Sequence, residues 1–427
     1  MHSVNSNGPP FLQKLKQVVL RFERTPSIRK ALPIIALVIG VAWVIALSGR
    51  LGIQEGGDTD GYLAAAELLR KGGFTFSNLF GNSTGNMLYH MTHVWLFLLG
   101  KTGFVVFTAT LTAFLPYFLV TILKRSGVKT FFIACALFYV GTNEEIYKWA
   151  FYVLSDGIML SQIMLLLFLL MTPGRPWYLW PLLVIVWYSL YFSRSTGFLL
   201  NPAVILFALI IDNPTKRKFI LGLFLITIGF IGVTAGVQRT EARRPGVLQA
   251  SIVQNVLDLD RRDFTKGHLL MDEKMTEKLS VPFTEKEAVG QTLSSLCWSH
   301  KSYCVYYWVR KYLAYVLPIY PKYSFRHNLF NLLFFGSSML LSAGGFITLL
   351  YGIRRKGWKT LKTSGRDGLG IYVMTGMLIL TASLFHTAAQ IDPDARYLMV
   401  WVTPWIGFNF LQANLAYNFW SGPSAAD

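Results

Sequence analysis

Apolar residues fall in long blocks separated by short polar stretches, near 31–48, 103–123, 128–142, 150–171, 177–192, 196–211, 218–238, 328–353, 370–389 and 397–415. A helix needs roughly 20 apolar residues to cross a bilayer, and several blocks reach that length. The pattern predicts an all-α polytopic membrane protein with about ten transmembrane helices. The stretch 88–100 is apolar but short, and reads as a re-entrant or interfacial element. The division between 177–192 and 196–211 is the least marked. Five segments result: a cytoplasmic N-terminal piece, 1–30; a transmembrane core, 31–238, with a first external loop at 49–87; an external loop with interfacial helices, 239–327; C-terminal transmembrane helices, 328–415; and a tail, 416–427.

Composition supports the membrane class. Hydrophobic residues are 53% of the chain, charged residues 15%, and the mean hydropathy is +0.43. A soluble globule of this length needs more polar surface than that. The net charge of +18 would suit nucleic acid, but the basic residues gather in short pieces between apolar blocks, so no nucleic-acid partner is expected. With the N-terminus inside, the pieces 1–30, 124–129, 172–176, 212–218 and 353–369 hold 19 Lys and Arg, against 6 in 49–87, 142–149, 193–195 and 390–396. Short cytoplasmic loops carry such an excess. The basic N-terminal stretch leads into a block too long for a signal-peptide core, and reads as a signal anchor.

This orientation gathers the chemically capable residues on one side. Gly57-Asp58-Thr59-Asp60-Gly61-Tyr62 follows the first span and precedes an Ala-rich helical pattern at Tyr62–Leu69. One carboxylate, or Thr59, can cap that helix; the other is placed to take a proton from a hydroxyl as a general base. Glu144 and Glu145 follow Asn143, and Asp156 opens the next span, where an ionisable group tends to face a cavity. Arg194 sits between two apolar blocks, where it either snorkels to the interface or binds phosphate through its planar fork. Arg396 and Tyr397, after Asp392-Pro393-Asp394, open the last span and by themselves read as a turn with an interfacial anchor.

The first and last of these motifs resemble the membrane-embedded GT-C glycosyltransferases, in particular the branch of protein O-mannosyltransferases and lipid A aminoarabinose transferases. Those enzymes carry an acid, usually Asp-Glu, in the first external loop, with an aromatic four residues after the Asp. Asp58 matches that Asp and Tyr62 the aromatic, while Thr59 stands where the Glu is usual. The resemblance implies an inverting transfer from a polyprenyl-phosphate sugar to a glycan, lipid or protein acceptor on the external face. Asp58 would be the base, which leaves Asp60 as the expected helix cap; Asp60, Glu144, Glu145 and Asp156 would be second-choice acids, and Arg194, Arg396 and Tyr397 the donor-phosphate group. It also implies a multi-pass protein of the bacterial inner membrane facing the periplasm.

The rival reading is a lipid or solute transporter, or flippase, whose ionisable groups would sit near the midplane on internal repeats; no convincing repeat is seen. His90 and His93 are three apart on a helix and lack a third ligand, so no metal site is assigned; no cofactor is called for, although a divalent cation stays compatible. The external run Trp298–Trp308, with Arg310 and Lys311 beyond it, suits an interfacial helix. Cys297 and Cys304 share the long loop, as a disulfide or as two thiols. No nucleotide-binding glycine motif is present.

Overall fold

A computed structural model describes residues 10–73, 90–172, 179–193, 197, 200–211, 213–241, 298–321, 323–356, 365–388 and 395–421. Among them the structure is all-α, the only strand-like pairing being a parallel bridge between Gln54 and Tyr152. The chain forms two compact units: Met1–Leu223 with Leu340–Ile379 and Met399–Asp427, and Phe224–Met339 with Leu380–Leu398.

The first unit opens with α1 (Pro10–Glu23) and α2 (Pro26–Leu51). Pro26 is suited to the first turn of α2, where its missing N–H is not needed. The helix stops at Gly52, whose φ of +60° suits glycine. Next come α3 (Thr59–Gly72), α4 (His90–Ala113), α5 (Leu115–Arg125) and α6 (Thr130–Gly141). The short stretch expected to end at residue 100 is a helical piece of its own within α4: it runs from His90 and is broken from the following span at Gly100, where φ is 67° and ψ 176°. Glycine reaches that region without a Cβ clash, so it produces a sharp kink.

After the short α7 (Glu144–Lys148) come α8 (Ser155–Met171), α9 (Leu179–Ser193), α10 (Leu200–Ile210) and α11 (Pro214–Glu241). The block expected from residue 150 starts as a 3-10 turn, Trp149–Phe151, and becomes α-helical only at Ser155, because Gln54 engages the backbone around Tyr152. Later helices are α12 (Lys301–Val316), α13 (Phe325–Asn331), α14 (Ser337–Lys356), α15 (Gly365–Ala388) and α16 (Ala395–Ser421). A π turn, Leu332–Gly336, joins α13 to α14.

The core of the first unit is built around α8, which touches α4, α5 and α9 and is buried over nearly its whole length. Two of its polar side chains, Ser161 and Gln162, find partners on those helices, as buried polar groups require. Thr112 and Ser161 share a hydrogen bond of 2.7 Å. Ser189 Oγ accepts from Gln162 Nε2 at 2.6 Å and from Trp95 Nε1 at 2.7 Å. Between α14 and α16, Ser342 Oγ donates to Asn409 Oδ1 at 2.5 Å and accepts from Trp405 Nε1 at 2.7 Å, while Gln412 Nε2 donates to the Ser342 carbonyl at 2.8 Å. Small residues allow the closest approaches. A Cβ on Gly40 of α2 would lie 2.0 Å from the Ala113 carbonyl oxygen, where α4 meets α5.

In the second unit, Asn328 makes paired bonds to the Tyr320 backbone, accepting from its N–H at 3.0 Å and donating to its carbonyl at 2.7 Å. Ser324 caps α13 by accepting from His327 N. Arg310 and Lys311 of α12 are buried, while Tyr312 beside them is 40% exposed.

Three described stretches are helices long and apolar enough to cross a membrane: Pro26–Leu51, Met91–Arg125 and Phe325–Arg354. Thr130–Gly141, Ser155–Met171, Leu179–Ser193, Leu200–Ile210 and Leu369–Leu384 are apolar but shorter. Each of the ten apolar blocks nonetheless contains a helix.

The Gly40 contact is open to test. Gly40→Ala is expected to destabilise the protein by about 1–3 kcal/mol, because the carbonyl it meets belongs to backbone. The readout is the thermal unfolding midpoint in detergent, beside Gly49→Ala, whose added Cβ would meet nothing within 4 Å.

Candidate functional site

Charged residues of the first unit separate to its two ends. At one end Glu23 meets the start of α6, Lys129 places its ammonium 5.9 Å from the Tyr417 ring centre, and Arg125 donates to Thr172 Oγ1 at 2.8 Å. The other end holds Glu55, Asp58, Asp60, Glu144, Glu145 and Asp156 around the segments before α3 and α8. Contacts between these segments fix the grouping.

The segment before α3 is fastened by backbone. Gln54 N–H donates to the Phe151 carbonyl at 2.8 Å, and Val153 N–H donates to the Gln54 carbonyl at 3.0 Å. Thr59 then locks the start of α3: its hydroxyl accepts from Gly56 N–H at 2.8 Å and donates to the Val153 carbonyl at 3.0 Å. One turn on, Tyr62 Oη and Ser155 Oγ are 3.2 Å apart. Thr59, Tyr62, Ala66 and Leu69 recur at helical spacing and form the buried face of α3. His93 of α4 packs against Tyr62, with ring centres 5.5 Å apart. A Cβ on Gly157 would lie 2.4 Å from the Trp149 carbonyl oxygen, so glycine is what lets α8 begin so close beneath α7.

This scaffold sets the acids. The helix expected from Tyr62 begins at Thr59, and it is Asp58 that stands at the N-cap, with its side chain making no capping bond. Asp60, expected as the cap, instead lies in the first turn. Both carboxylates are exposed, at the helix end where negative charge is favoured. Thr59, matched to the usual Glu, is buried and structural. Asp156 is only 3% exposed, in the first turn of α8. Glu144 pairs with Arg50 and Glu145 with Lys148 at 3.3 Å. Lys101, just past the kink, pairs with Glu55. These pairs are largely exposed and contribute about 0–1 kcal/mol each.

Beneath them, Tyr147 donates to the Val140 carbonyl at 3.2 Å and stacks on Trp43, and burial pushes its phenol above the ordinary range, so it stays neutral. Asn143 Nδ2 and Trp149 Nε1 are buried donors with no hydrogen-bond partner among the described residues.

The site therefore joins Asp58, Asp60, Glu144, Glu145 and Asp156 at one end of the unit. Arg194 lies outside the described residues, as do Asp392 and Asp394, Cys297 and most of the long loop, 242–297. Arg396 and Tyr397 begin α16 as backbone. Among the described residues no three His, Cys, Asp or Glu are grouped to hold a metal ion. Sequence reasoning missed Arg50, Glu55, Lys101 and the Thr59 bridge; all depend on partners more than forty residues away in the chain. Comparison with protein-family models, curated proteins and solved structures finds no match.

Thr59→Val keeps the shape but removes both hydroxyl bonds, at an expected cost of about 1–3 kcal/mol. Amide exchange at residues 54–59 should accelerate while that of α8 stays protected.

Proposed function

We propose that this chain is a polytopic membrane glycosyltransferase of GT-C type, moving a sugar from a polyprenyl-phosphate donor to a glycan, lipid or protein acceptor. The observation that carries the reading is Asp58. It is an exposed carboxylate, stationed on a helix start that Thr59 and Tyr62 fasten to the segment opening α8. A general base needs a fixed position and access to its substrate, and this arrangement provides both.

In the proposed reaction the Asp58 carboxylate accepts the proton of the acceptor hydroxyl as that oxygen bonds to the anomeric carbon. The bond from that carbon to the phosphate oxygen breaks with its electron pair, with inversion, and polyprenyl phosphate departs. Arg194, Arg396 and Tyr397 are assigned to the donor phosphate, since cations that meet the developing charge remove the need for a separate acid. The acidic end then faces the periplasm of a bacterial inner membrane, with the basic end in the cytoplasm, as the excess of Lys and Arg in short loops supports. The shorter apolar helices complete about ten spans together with their flanking residues.

The test uses purified protein in lipid with defined polyprenyl-phosphate sugars. Asp58→Asn should lower transfer by about 10²–10⁴-fold, with Asp60→Asn keeping most activity. Full activity in Asp58→Asn overturns the assignment. Movement of the lipid-linked sugar across vesicles without a new glycosidic bond establishes a transporter instead.

A further inference from the structure

The opposite end of the first unit carries a feature that the transfer reaction does not use. Helix α1 buries a single stripe: Val19 is fully buried, Leu15 and Phe22 are half-buried, and the Phe22 ring meets Phe131 of α6 edge-on at 5.5 Å. Beside that stripe Val18 remains 40% exposed, while Leu20, 38% exposed, lies across the helix beyond Lys16. Lys16 lies on one flank of the stripe, Lys14 and Arg21 on the other, all three exposed. Arg24, Arg29 and Lys30 follow, also exposed.

The charge balance here is unusually one-sided. Glu23 is the only acid before Glu55. Its carboxylate accepts the Thr130 N–H at the start of α6, so it is committed to a helix end. The cations around it are therefore left to be balanced from outside the segment. Apolar side chains flanked on both sides by long cationic ones match the boundary between acyl chains and headgroups, where the stems lie along the apolar layer and the charges reach outward.

We infer that α1 is an interfacial helix that binds the anionic headgroups of the membrane leaflet at this end of the unit, with Glu23 and Phe22 holding it to α6. The occupant is an anionic lipid surface, because the exposed side of the helix carries a dense, nearly uncompensated positive charge beside the apolar edge at Val18. It does not depend on the glycosyltransferase reading, and its test does not measure transfer.

Full-length protein is placed in nanodiscs of phosphatidylcholine, alone or mixed with phosphatidylglycerol, and amide exchange is followed over residues 12–23. Exchange is expected to slow on the order of tenfold with the anionic lipid. Raising the salt should reverse this, since exposed charges are screened. The variant Lys14→Gln/Lys16→Gln/Arg21→Gln/Arg24→Gln should exchange alike in both membranes, with α8 protection confirming its fold. If that variant does not fold, the wild-type salt series decides alone. Equal wild-type exchange in the two membranes overturns the inference, as does a variant that responds like wild type. Protection that follows the number of protein copies per disc instead of lipid charge also overturns it, and identifies a second copy as the cover.

Discussion

The Thr59 hydroxyl, held between Gly56 N–H and the Val153 carbonyl, is the joint on which the acidic end of the first unit rests. The segments it unites lie 94 residues apart in the chain and bury Tyr62, Phe151, Val153 and Leu154 around the bond. A buried hydroxyl with both functions satisfied contributes about 0.5–1.5 kcal/mol per bond, and leaving its partners unmet costs more. With the Gln54 bridge and the Tyr62–Ser155 contact, it turns a surface loop into a platform. The position of Asp58 is a consequence of that platform, since its own side chain makes no capping bond.

The helical architecture was legible because its cause is local. Runs such as Ile34–Ile45 or Ile163–Leu170 leave the backbone in an apolar setting no alternative but to bond within itself. The break at Gly100 was legible as the end of the short 88–100 stretch, whereas the role of Gly40 as a small residue at a contact was not, since a glycine in an apolar run carries no sign of what packs against it. The late start of α8 was hidden for a different reason: it depends on Gln54, a residue whose sequence neighbourhood says nothing about a bridge to Tyr152.

The candidate site was legible in its residue types and less so in its geometry. Asp58 and Asp60 look interchangeable in sequence, and helix propensity favoured a start at Tyr62. The tertiary bond from Thr59 moves the start back by a turn and exchanges the places of the two acids. Glu144 and Glu145, adjacent in the chain, pair with cations from different parts of it, Arg50 and Lys148. Polar side chains such as Gln162 and Ser189 belong to the interior of the bundle, where their mutual bond makes them connectors between helices.

The start of α6 has a further consequence, one of timing. Its first amides are satisfied by Glu23, which lies 107 residues upstream of Thr130, and by Asn414, which accepts from Lys129 N–H across 285 residues. During synthesis the first acceptor is already in place when α6 emerges, whereas the second is made almost last. Until α16 arrives the nascent protein holds an unfinished helix end at the start of α6. A ribosome that stops short of Asn414 therefore releases a chain with that end still open, a defect that quality-control machinery could recognise.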